Sequence, residues 1–527
     1  MQLRLSTAAL LIASSCFAAT LAETRLLDAV KSENLTAVKA ALAKGAPVAA
    51  ADPDGSTALH WAAQRNNDEI VAALMAAGAK VDVKTRFNVT PLSLAAQNGN
   101  AKMIARMLDA GADANGTSNE GQTILMTAAL NGNPDAVKLL IQRGAKVNAV
   151  EPYKGQTALM FAAGEGNAKA VAQLVEFGGD AKLKSKGGYT AFLFAVRNRH
   201  MEAAKVLLAH GSSINETAPD GSGVLNMAIV NGYFDVASEL LDLGADPNAV
   251  DPRGSALHSL AWMRKPGAPW EAAALAEDPE GPPKPSGNVT GLELAKKLLE
   301  KGANPNKRVE WKEIRFTKGL GTTKAPPSIP LGRHYLSFNG TTPFFNAARN
   351  GDAPLMKILL QYGADGKIPS IHGVTPLMAA AGLDYYEGET PGPYTGVPEA
   401  ERLEAVKLAL QVGQNINAVT DFGKYEMEGS AEFTLKTYPT NIDKLVDLGI
   451  GDPRFNGMTA LHGAVISNQL SILQYLIDQG AKLDAKNQLG WTPLMMTKGI
   501  FMANAYKEFP NAAKMLREAM AKQGIVE

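Results

Sequence analysis

Three histidines sit in near-identical settings: His60 in TALHWAA (57–63), His258 in SALH (255–258) and His462 in TALH (459–462). By type, an imidazole is a general base or a metal ligand, so each is a candidate for chemistry. Partners for that chemistry do not follow from spacing. No HExxH or CxxC stretch supplies zinc ligands, and no GxSxG elbow supplies a serine nucleophile. GLGTTK (319–324) lacks the full order of a phosphate loop and joins no strand to a helix. DPDG (52–55) opens like a calcium loop, but the later ligands and the distal Glu do not follow. His200, His210, His334 and His372 are scattered, with no carboxylate or cysteine at fixed spacing. The expectation is no enzyme, no metal and no cofactor.

What does recur is the phrase around His60. It starts at Thr57, Thr90, Thr123, Thr157, Thr190, Gly223, Ser255, Thr342, Thr375, Thr459 and Thr492, at spacings of 33, 33, 34, 33, 33, 32, 87, 33, 84 and 33. A second phrase follows most starts by 21 residues: GAKVD at 78, GADAN at 111, GAKVN at 144, GADPN at 244 and GAKLD at 480. Such a period marks a stacked-repeat architecture.

Each position has a physical reason. Thr or Ser suits a helix N-cap, where its hydroxyl accepts a bond from an otherwise unpaired N–H. Pro91, Pro343, Pro376 and Pro493 fall at the first helical position, where no N–H is needed. The pairs Ala62-Ala63, Ala95-Ala96 and Ala128-Ala129 let helices approach closely. Leu74, Leu108, Leu140 and Leu208 mark the apolar stripe of a second helix. Gly78, Gly111, Gly144, Gly211 and Gly363 suit its left-handed cap. Asn115, Asn148 and Asn248 suit the following turn, where Asn bonds locally.

These residues resemble the ankyrin repeat, a turn, two antiparallel helices and a hairpin finger, over almost everything from about residue 24 to 522. The resemblance implies an all-α ankyrin-repeat solenoid of about 12–13 helix-turn-helix units. It also implies that His60, His258 and His462 are structural, their rings bonding to the turn and to the neighbouring repeat. Standing as far apart as their repeats, the three share no metal. Ankyrin stacks generally bind other proteins with their fingers and first helices.

The pattern divides the chain into N-terminal repeats (23–263), an interrupted repeat with two long insertions (264–340) and C-terminal repeats (341–527). Residues 24–51 look like a first unit, and Thr492 to Gln523 like a closing one. Within the 84-residue interval, NIDKLVDLGI (441–450) matches a second helix, so a degenerate repeat is expected near 424–456.

Insertions fall at 265–290, 308–338, 383–400 and 498–509, rich in Pro and Gly yet holding Trp270, Trp311, Phe316, Tyr335, Tyr385 and Tyr386. A mobile linker rarely carries so many aromatics. They either pin the insertions to the stack or form a recognition site on the C-terminal half. The latter opens a competing class, a ligand-binding or catalytic pocket with Trp270, Trp311, Arg315, His334 and Tyr335 as members. The finger tips Phe87, Tyr153, Arg253, His372, Phe422, Arg454 and Phe455 are the remaining binding candidates, since aromatic and Arg side chains commonly anchor interfaces.

With 52 basic and 52 acidic residues, the balanced charge gives no general reason to expect a nucleic-acid or membrane-surface partner. The partner expected is a protein, bound by a monomer. The N-terminal MQLRLSTAALLIASSCFAATLA has the layout of a signal peptide (1–22), with cleavage between Ala22 and Glu23 and a periplasmic or secreted product. A second reading lipidates Cys16, the chain's one cysteine. No other stretch is apolar for long enough to span a bilayer.

Overall fold

A computed structural model describes residues 25–251, 254–264, 285–309, 340–383, 397–421, 456–499 and 508–526. They are helical, apart from short bridges and one two-stranded ribbon, Val250–Asp251 against Gly254–Ser255. They divide into two compact units, one ending at Ser213 and the other starting at Ile214. The sequence places no boundary there, because the repeat period runs through it unbroken.

Unit one holds six antiparallel pairs, each an inner helix followed by an outer one. The first is residues 25–31 with Leu35–Ala43, and the second Ala58–Gln64 with Asp68–Ala76. Then come Pro91–Gln97 with Ala101–Asp109, and Ile124–Asn131 with Pro134–Gln142. Ala158–Gly164 with Ala168–Glu176 and Ala191–Arg197 with Met201–Ala209 complete it. These inner helices are only two turns long, too short to be stable alone, so stacking supplies what propensity cannot. Every alanine of the predicted pairs is fully buried, which sets the close spacing.

The caps form as expected. The hydroxyl of Thr90 accepts from the Ser93 N–H at 3.1 Å, and the Ser93 hydroxyl in turn accepts from the Thr90 N–H at 3.0 Å. Gly78 and Gly144 end their outer helices at φ +87° and +88°, where a Cβ would be strained. The apolar stripe needs a correction. Leu74 and Leu140 are buried, but at the same register the core residues are Met107 and Leu207, while Leu108 and Leu208 are half-exposed. Where two apolar residues adjoin, the inward one is set by the 33-residue register and not by its being leucine.

The asparagines also differ from expectation. Asn148 reaches the next repeat, its Nδ2 donating to the Gly178 carbonyl at 2.9 Å and its Oδ1 accepting from the Asp180 N–H at 2.9 Å. Asn115 does the same to Gly144 and Lys146, and Asn248 to Gly302 and Asn304. Each amide thus staples two repeats instead of closing its own turn.

Unit two continues with Val224–Val230 and Phe234–Asp242, then Ala256–Arg264 and Gly291–Glu300. Pro343–Arg349 with Ala353–Gln361 and Pro376–Ala380 with Glu399–Gln411 follow. The last pairs are Ala460–Ile466 with Leu470–Asp478, and Pro493–Met496 with Pro510–Gln523. The half-buried Arg264 guanidinium grips the fully buried Asp352 of the next pair with two bonds, 2.8 and 3.0 Å.

Long insertions leave the stack intact where their ends meet. The Val309 N–H donates to the Thr341 carbonyl at 2.9 Å and the Gly340 N–H to the Val309 carbonyl at 2.8 Å. The same knot recurs between Thr420, Met458 and Gly457, at 3.0 Å for both bonds. There the Ser467 hydroxyl bonds Ala381, and Asn417 staples directly to the Lys482 N–H. The pairs before and after the 84-residue interval are therefore in contact. The expected repeat near 424–456 falls on residues 422–455, which lie outside the described residues. Twelve helix pairs are described.

Candidate binding surface

The histidines are scaffold. The Thr57 N–H donates to Nδ1 of His60 at 3.1 Å, so Nδ1 is unprotonated and the proton sits on Nε2, 3.1 Å from the Val89 carbonyl one repeat on. His258 bonds Ser255 and Thr341 in this way, and His462 bonds Thr459 and Trp491. Burial holds the His462 imidazole down at about 4 and lowers His60 as well. A ring with both nitrogens committed offers nothing to a substrate. Among the described residues, no three His, Cys, Asp or Glu side chains are grouped to hold a metal, and no helix is long and apolar enough to cross a membrane.

The surface of unit one is different. Each inner helix after the first carries, four residues after its cap, a half-exposed side chain: Trp61, Leu94, Thr127, Phe161 and Phe194. Trp61 donates from Nε1 to Asp52 of its finger at 2.6 Å, with the Lys31 ammonium 4.8 Å above its ring. Phe194 packs on Tyr189 of its finger, ring centroids 5.7 Å apart. In unit two the same register holds buried Met227, Ser259, Ala379, Gly463 and Met496, and the polar, half-buried Asn346. The accessible apolar row belongs to unit one.

The fingers stand over this row. Thr85 closes one by donating to and accepting from the chain at Val89 and Asn88, 3.0 and 2.9 Å, with Asn88 at φ +61°. Neighbouring fingers are tied: the Arg86 N–H donates to the Asp54 carbonyl at 2.9 Å, and the Lys186 N–H to the Lys154 carbonyl at 2.8 Å. In the finger at 150–156, the buried Glu151 carboxylate collects the N–H groups of Tyr153, Lys154 and Gln156 at 2.6, 2.8 and 2.8 Å. Burial pushes its carboxyl up, but those three bonds outweigh it and hold the group below the usual carboxylate range. A fixed tip results, with Tyr153 standing 80% exposed. Between this finger and the one before lies an open cleft of about 680 Å³, lined by Glu120, Gln122, Tyr153 and Lys154, with Phe161 at its base.

Of the predicted binding residues, Phe87 is 52% exposed, with the Arg86 guanidinium 4.7 Å from its ring, and it shares this face with Tyr153. His372 is half-buried in unit two, its carbonyl accepting from the Asp421 N–H at 2.8 Å. Arg253, Trp270, Trp311, Arg315, Phe316, His334, Tyr335, Tyr385, Tyr386, Phe422, Arg454 and Phe455 lie outside the described residues, as do Ala22 and Glu23. Sequence reasoning missed Trp61, Leu94, Phe161 and Phe194. Their signal was present, as the residue directly after the fourth letter of each recurring phrase.

Comparison with known families agrees with this geometry. A family model described as ankyrin repeats (three copies) matches residues 5–85, 75–151, 159–251 and 430–497. A second, ankyrin repeats (many copies), matches 132–176. No curated protein matches the chain. The recurring phrase, the stacked pairs and these matches agree, and the chain belongs to the ankyrin-repeat family.

Proposed function

We propose that this chain is an exported, non-catalytic scaffold that docks a protein partner on the fingers and inner helices of unit one. Ankyrin repeats make it a protein-interaction scaffold. The observation that carries the choice of face is the accessible row Trp61, Leu94, Phe161 and Phe194 beneath the exposed tips Phe87 and Tyr153. Interfaces concentrate their energy in aromatic anchors that a partner can desolvate. A rigid frame also lowers the entropy that docking must overcome.

A photo-crosslinking residue at Tyr153 should capture the partner in the exported fraction, and the same residue at Lys102 on an outer helix should not. Equal capture from both positions would remove the assignment of the face.

Export rests on Arg4, the apolar run that follows and the small residues Thr20-Leu21-Ala22. Cleavage before Glu23 leaves the helix at 25–31 whole. N-terminal sequencing of the secreted or periplasmic protein should return Glu23; a lipid-modified Cys16 or an intact Met1 would contradict it. The scaffold acts as a monomer, a property that light scattering of the purified chain would check.

A further inference from the structure

The charges on the fingers of unit one are not balanced. The finger at 84–89 carries Lys84 and Arg86, that at 150–156 carries Lys154, and that at 184–189 carries Lys184 and Lys186, all exposed. The opposing carboxylates are fewer, and most are occupied. Glu151 is buried and bonded to its own finger, Glu120 alone stands exposed at the tips 84–89, 117–122, 150–156 and 184–189, and the exposed Asp82, Asp113 and Asp180 at the finger roots each accept a backbone N–H. In the finger before them, Asp52 pairs with Lys31 at 2.9 Å. Asp54 accepts from the Ser56 N–H and hydroxyl at 2.9 and 2.8 Å, beside Arg86.

A cationic rim thus accompanies the apolar row, which includes the cleft lined by Tyr153, Lys154 and Phe161. Helices pack roughly 8–10 Å apart and an extended chain advances about 3.3 Å per residue, so each repeat meets about three residues of an extended ligand.

We infer that the partner presents an extended acidic segment with an aromatic or aliphatic residue about every third position, its apolar side chains over the inner row and its carboxylates against the finger lysines. This deepens the docking reading above and rests on it. The acids would find Lys84, Lys154 and Lys184, while an apolar residue would enter the cleft between Tyr153 and Phe161. A nucleic-acid strand fits the cations less well, because Leu94 and Thr127 break the row between Trp61 and Phe161, so it offers no continuous stacking platform.

The test uses the full chain and fluorescence anisotropy with three labelled probes. These are a peptide of Glu and Asp with Phe at every third position, its counterpart with Lys for every acid, and an oligothymidine strand of equal length. The acidic peptide should bind at least about tenfold more tightly than either other probe. Lys84→Glu, Lys154→Glu and Lys184→Glu together should remove about tenfold or more of that affinity while leaving the circular dichroism unchanged. Phe161→Ala should weaken the same peptide without changing its salt dependence.

Equal or tighter binding of the lysine peptide, or indifference to the triple charge reversal, would overturn the acidic assignment. Tighter binding of oligothymidine would overturn it in favour of nucleic acid. If the acidic peptide fails while the Tyr153 crosslink still captures a protein, the charge inference falls and the docking face stands. If both fail, both fall.

Discussion

Thr459 and His462 form a closed pair: the Thr459 N–H donates to Nδ1 at 3.1 Å, leaving Nε2 to face the Trp491 carbonyl at 3.3 Å. Protonation would place a second N–H against the one already there. Burial depresses the imidazole from 6.5 to about 4. The unfolded chain therefore binds the extra proton first, and stability is lost as pH falls from 6.5 towards 4. The loss amounts to about 3 kcal/mol from this residue. His462→Gln should lower stability at pH 7 and flatten the pH dependence between those limits by one proton, measured by urea unfolding across pH. An unchanged slope would refute the depressed value.

The register of the outer helix gives a paired prediction. Leu207→Ala and Leu140→Ala each remove a fully buried side chain and should cost about 2–5 kcal/mol. Leu208→Ala, half-exposed beside Leu207, should cost about 1 kcal/mol or less. Thermal denaturation of the three variants checks the order. A Leu208 cost matching that of Leu207 would restore the stripe first read from the sequence.

The amide staple is tested by Asn148. Asn148→Ala removes two bonds to the next repeat and should cost about 1–3 kcal/mol. Asn148→Asp keeps the acceptor but sets a carboxylate against the Gly178 carbonyl, so its cost should be larger at pH 7 than at pH 3. Hydrogen exchange at the Asp180 amide reads the change locally, and protection equal to that of the parent would deny the staple.

In the clasp between Arg264 and Asp352 the carboxylate is fully buried and the guanidinium mostly so, and breaking it from one side leaves a largely desolvated charge without its partner. Asp352→Asn preserves an acceptor for the Leu355 N–H yet should cost about 3–5 kcal/mol. Replacing both residues by apolar ones of similar volume should recover part of that cost, which a double-mutant cycle by denaturant unfolding would show. Additive losses would mean that the two residues act independently.

Much of the fold was legible because one phrase recurs in step, and a Thr cap, an N1 proline or a left-handed glycine acts within its own turn. What failed involved partners outside the window of sequence. Asn148 has the residue type of a local turn, but its ligands lie 30 and 32 residues away. Ser467 finds its acceptor in Ala381, 86 residues back, a contact that no local spelling announces. The binding row was hard to see because its register accepts Trp, Leu, Thr or Phe. That tolerance follows from facing solvent, where no neighbour dictates shape.

The paired bonds at Val309 and at Thr420 have a consequence beyond their own repeats. Each ties the two ends of an interval together, so a segment running from Val309 to Gly340, or from Thr420 to Gly457, leaves the helix layers on either side joined. Lengthening such a segment costs only the slowly growing entropy of loop closure. The architecture therefore holds two points at which chain length can change while the spine on either side keeps its contacts.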